Sequence, residues 1–189
     1  MKPIATLGLI LLLAAPLMAG SPYAGQEMRE LKTLSEEDLA EIRSGTGWGL
    51  AKVAELNGVP GPAHLLELKD AIPLSPDQVT AIDAIYTEMK AEAIAAGAKF
   101  IAAETALEQA FRDGGPDQDT LRVLLDQVAI ARRDLQYVHL SRHLSTPELL
   151  APAQIARYNE LRGYGRSDPC ANPPKGHDPE MWRRHNNCE

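Results

Sequence analysis

The sequence predicts an all-α protein centred on an antiparallel hairpin of two long helices. Three observations carry this. First, residues 74–115 place Val79, Ile82, Tyr86, Met89, Ala93, Ala96, Phe100, Ala103, Leu107 and Ala110 in unbroken steps of three and four. That is a heptad seam, which packs along a partner helix rather than on a sheet. Second, the spacing resumes beyond Gly114-Gly115 at Leu121, Leu124, Val128, Ala131, Leu135 and Val138. A short connection between two long helices makes them antiparallel neighbours. Third, no stretch alternates as a strand does. Hydrophobic residues make up 44% of the chain but aromatics only 5%, which suits helices with a thin core.

The first element, residues 1–20, reads as a signal peptide. Lys2 supplies the positive start, residues 4–17 the apolar run, and Ala19 marks the cleavage region. An uncleaved anchor over residues 3–19, short for a span, is the competing reading. Either way the rest of the chain is expected outside the inner membrane, in the periplasm. No cysteine follows the apolar run, so a lipoprotein anchor is not expected.

Residues 21–62 read as an N-terminal arm with short helices. Residues 21–34 are polar, with Gly and Pro, and are expected to be flexible. Ser35 and Asp38 form a capping-box pattern for a helix over 36–43. Ser44-Gly45-Thr46-Gly47 breaks it. A second short helix fits 48–56 and closes at Asn57-Gly58. Val59-Pro60-Gly61-Pro62 is a rigid turn.

Residues 63–166 form the hairpin domain. A short helix over 63–71 carries Leu65, Leu66 and Leu68, suited to cover the end of the long helix. The long helix is expected at 76–112, with Ser75 as N-cap, Pro76 in the first position and Gln78 completing a capping box. Gly97 is its weakest interior point, costing about 1 kcal/mol against Ala. The return helix spans 119–144 and breaks at Thr146-Pro147. Pro152 opens a last helix with Ile155, Tyr158 and Leu161, ending at Gly163. Leu74-Ser75-Pro76-Asp77-Gln78 and Leu150-Ala151-Pro152-Ala153-Gln154 share an L-x-P-x-Q frame, which helix capping alone can produce.

Residues 167–189 form a C-terminal tail. Its two cysteines, Cys170 and Cys188, most simply make one disulfide in an exported protein. A Cys/His zinc site with His177 and His185 is the alternative, although the spacing matches no standard module. Trp182 reads as an anchor that packs the tail onto the helices.

The formal charge of −7 leaves no basic footprint for nucleic acid or an anionic membrane. No phosphate-binding glycine loop, nucleophile elbow or C-x-x-C is present, so no enzymatic activity is expected. The chemistry-bearing pair is His139 and His143. Spaced i, i+4, their imidazoles share one helix face, as a divalent metal needs. Two solvated histidines are the plainer alternative. Two ligands also leave a site incomplete; a third must come from His64, Glu67 or a second subunit.

The paired L-x-P-x-Q frames resemble the L-T-x-x-Q motifs of the Spy/CpxP family of periplasmic stress chaperones and metal-resistance sensors. The resemblance covers roughly residues 63–165. Ala71-Ile72-Pro73-Leu74 before the long helix, with Val138-His139 late in the return helix, is most similar to the nickel/cobalt sensor branch. Those sensors place a His and a Met one turn apart, where this chain has His139 and His143. Their other ligand positions fall here on Leu65, Lys69 and Tyr86, so the full sensor set is not retained. The resemblance implies a helical hairpin, often a homodimer with a concave face. It further implies a non-catalytic role in metal binding (zinc, nickel, cobalt or copper) and stress resistance. Binding of unfolded periplasmic clients on the apolar concave face is the alternative, and a membrane signalling protein is a further implied partner.

Overall fold

The structure, a computed structural model, describes residues 21–164, 178–185 and 188. The described chain is helical, with no strand among those residues. In order, the helices are α1 (Glu36–Ser44), α2 (Lys52–Glu55), α3 (Pro62–Glu67), α4 (Pro76–Arg112), α5 (Gln118–Ser145), α6 (Pro152–Arg162) and α7 (Pro179–His185). A 3₁₀ turn over Thr146–Leu149 separates α5 from α6.

The hairpin is as the heptad spacing predicts. At 37 residues, α4 is about 55 Å long. Ser75 and Gln78 make the expected capping box, and α5 packs back along α4. All ten seam positions of α4 are buried or half-buried. Burial is uneven, however. Ile82, Met89, Ala93 and Phe100 are fully enclosed, whereas no residue over 101–134 is. The free end of the hairpin is a bare helix pair, and the core lies at the other end.

That core has two parts. One gathers Leu31, Leu34, Leu39, Ile42 and Leu50 onto Ala93, Phe100 and Leu135. The other gathers Leu65, Ile72, Ile82 and Tyr158. The first part corrects the expectation of a flexible segment over 21–34. Leu31 and Leu34 are buried against the hairpin. Thr33 donates to Glu104 at 2.9 Å, Lys32 pairs with Glu108, and Arg112 donates to the Glu30 carbonyl at 2.8 Å. Two leucines spaced by three sufficed to dock a segment whose composition is otherwise that of a loop.

The short helices are shorter than expected. Trp48, at the expected start of the second, sits at φ 40°, which no helix tolerates. It is held there by its indole N–H, which donates to Asp38 at 2.8 Å, and by tilted packing on Phe100. Helix thus remains only at Lys52–Glu55. Likewise α3 ends at Glu67, and residues 68–73 turn to bring Ile72 under Tyr158.

Gly97 does not break α4. An added Cβ there would lie 2.8 Å from both the carbonyl oxygen and Cγ2 of Ile42. The glycine lets the end of α1 rest on the α4 backbone, a packing reason for a residue that costs helix stability.

Among the described residues, no helix is long and apolar enough to cross a membrane. The expected signal segment over 1–20 lies outside the described residues.

Candidate metal centre

The two core clusters leave a cavity between them, and the histidine pair lines it. On α4, Ile82 belongs to one cluster and Ala93 to the other; Met89 falls between. On α5, Leu135 belongs to the first cluster, and His139 and His143 follow one and two turns on. The cavity, about 260 Å³, is lined by His139, His143, Met89, Tyr86, His64 and Glu67, together with residues 45–47 and 61–63.

Both histidines are buried, at 3% and 4% exposure, which excludes the reading of two solvated side chains. The helical period of 3.6 residues explains why. Position 135 is in the seam, and 139 and 143 lie i+4 and i+8 from it, on the same face.

His143 is held by the turn before α3. Its Nδ1–H donates to the Val59 carbonyl at 2.8 Å, which places the lone pair on Nε2. Gly61 packs against the face of that ring, where an added Cβ would stand 2.4 Å from Nε2 and 2.5 Å from Cε1. Any other residue at 61 would press on the ring and displace it. The His139 Nε2 is enclosed and has no hydrogen-bond partner. Burial, and then the neighbouring His143, hold the His139 imidazole below its usual titration range and keep it neutral near pH 7.

His64 and Glu67, the proposed sources of a third ligand, do reach this cavity. His64 is nevertheless engaged elsewhere. Its Nδ1 lies 3.1 Å from Glu55, and its Nε2 accepts from Arg162 at 3.4 Å. Arg162 also donates to the Tyr164 hydroxyl, which in turn donates to Glu55. This polar cluster ties α2 and α3 to the end of α6. Among the described residues, no three His, Cys, Asp or Glu side chains are grouped closely enough to hold a metal ion.

The centre therefore offers two buried imidazoles lining one cavity, one of them with an orphaned nitrogen. Those features fit a metal ion; the carboxylate share of the expected set is not assembled. Sequence reasoning missed Met89, which reads only as a seam residue. It also missed the Val59–Gly61 clasp, for which the sequence shows only a turn.

Of the tail residues, Cys188 is bridged rather than free. Cys170, its expected partner, and His177 lie outside the described residues. Asp178 caps α7, accepting from the backbone N–H groups of Glu180 and Met181.

No family model, curated protein or solved structure matches this chain.

Proposed function

We propose that the protein is a non-catalytic periplasmic metal-binding protein of the stress or metal-resistance type, with His139 and His143 as its ligands. The observation that carries this reading is the state of the pair. Buried polar nitrogens are nearly always hydrogen-bonded, and an enclosed imidazole nitrogen without a partner costs roughly 1–3 kcal/mol. His139 carries such a nitrogen one turn from a second imidazole, that of His143, and both rings line one cavity. A ligand role explains both features, and the resemblance to the Spy/CpxP family agrees with it. A metal ion held there would accept the lone pair of each ring. The bond from His143 to Val59 orients that ring, as outer partners of metal-bound histidines do. Calorimetric titration with zinc, copper and nickel tests the reading on the wild type, His139→Ala and His143→Ala. Each substitution is expected to remove most of the binding. Undiminished binding by both variants would refute the assignment.

A second reading has its own observation. A groove of about 650 Å³ runs between α4 and α5, lined by Ala95, Ala96, Ala102, Ala103, Ala106 and Ile130 among others. Val123, Ile130, Tyr137 and Leu144 stand exposed at seven-residue intervals on α5. Such a surface suits an unfolded client or a second copy of this chain. Suppression of aggregation of a denatured test protein by the wild type, weakened by Ile130→Glu, is the result expected if clients bind there. Unchanged aggregation would remove the reading.

A further inference from the structure

We propose that the centre is built for Cu(I), with the Met89 thioether as its third ligand beside His139 and His143. The inference rests on the metal-binding reading above and specifies its ion. Met89 is 6% exposed, and it lines the same cavity as both histidines. It reaches that cavity from α4, across the hairpin from α5. The search for hard and borderline ligands ends without a third: His64 is bound to Glu55 and Arg162, and no three His, Cys, Asp or Glu side chains converge among the described residues.

That shortage discriminates between ions. Zinc requires about four ligands in a tetrahedron, with a water only where a position is open to solvent. Nickel and cobalt favour still more nitrogen and oxygen donors. Cu(I) is soft, is selected by thioether and thiolate sulfur, and is content with two or three ligands. Two imidazoles and one thioether lining one small cavity match it. Binding involves no electron transfer when the ion is supplied already reduced. Each nitrogen gives its lone pair, and the sulfur gives one of its own.

The test is anaerobic competition for Cu(I) against a chromophoric chelator such as bicinchoninate, on the purified wild type, Met89→Leu and His139→Ala. Leucine nearly matches methionine in volume, so the fold is expected to persist. Met89→Leu is expected to weaken Cu(I) binding by roughly tenfold or more while leaving Zn²⁺ affinity unchanged. X-ray absorption at the copper edge is expected to show a sulfur neighbour in the wild type that Met89→Leu lacks. Loss of Cu(I) in His139→Ala with full retention in Met89→Leu would overturn the thioether inference alone. Tighter binding of Zn²⁺ than of Cu(I) by the wild type would overturn the choice of ion. Equal Cu(I) affinity in all three proteins would overturn both this inference and the reading it rests on.

Discussion

Gln78 and Gln154 bond to each other through both of their side-chain amides. Each Nε2 donates to the other's Oε1 at 2.9 Å. Each Oε1 also accepts from the backbone N–H at the start of its own helix, Ser75 at 2.9 Å and Ala151 at 2.8 Å. The spare amide hydrogens go to the Leu149 and Pro73 carbonyls. The two L-x-P-x-Q frames are thus the two halves of one junction, and the same glutamine that caps a helix docks it on the other. Gln154→Ala is expected to cost about 1–3 kcal/mol in denaturant unfolding, because it strands several partly buried partners. The double variant with Gln78→Ala is expected to lose clearly less than the sum of the singles. Additive losses would show that the two caps act independently.

Leu31 offers a test of the docked N-terminal segment. Leu31→Ala is expected to destabilise the protein by about 2–4 kcal/mol, the cost of emptying an enclosed leucine site. A change within experimental error in the unfolding midpoint would mean the segment is loose.

At position 97 two effects of opposite sign compete. Helix propensity favours Gly97→Ala by about 1 kcal/mol. The added methyl meets the Ile42 carbonyl at 2.8 Å, and backbone cannot move aside as a side-chain tip can. Overpacking costs typically 1–3 kcal/mol, so net destabilisation is expected. A rise in melting temperature would show that the contact between α1 and α4 gives way readily.

What the sequence made legible was periodic. The heptad steps located both long helices to within a residue or so, since α4 ends at Arg112 and α5 begins at Gln118. The i, i+4 histidines were legible as a pair for the same reason. Their burial was less so, because nothing local says that Val59 and Gly61 fold over His143. The second short helix was lost to a contact distant in sequence, Trp48 on Phe100. The leucines at 31 and 34 were hidden by polar neighbours that outweigh them in any composition window. Met89 was visible as a core residue, but only the cavity brings it together with the two histidines.

The acid sensitivity of the fold follows from His139. Burial lowers its titration in the folded state below the ordinary 6.5. The unfolded chain therefore takes up that proton first as pH falls. The stability linked to the neutral ring is fully present above about pH 6.5 and is lost as pH drops from there through the folded-state value. Unfolding free energy is expected to fall across that window in the wild type and to fall less in His139→Gln. Parallel profiles would locate the acid sensitivity in other groups.

Imidazole ¹⁵N spectroscopy during titration with a diamagnetic ion, Zn²⁺ or Cu⁺, is the most direct test of metal binding at the buried pair. The expected result is a coordination shift of Nε2 in both His139 and His143, with the His143 Nδ1 remaining protonated toward Val59. Shifts confined to His177 and His185, or no shift in any histidine, would contradict it.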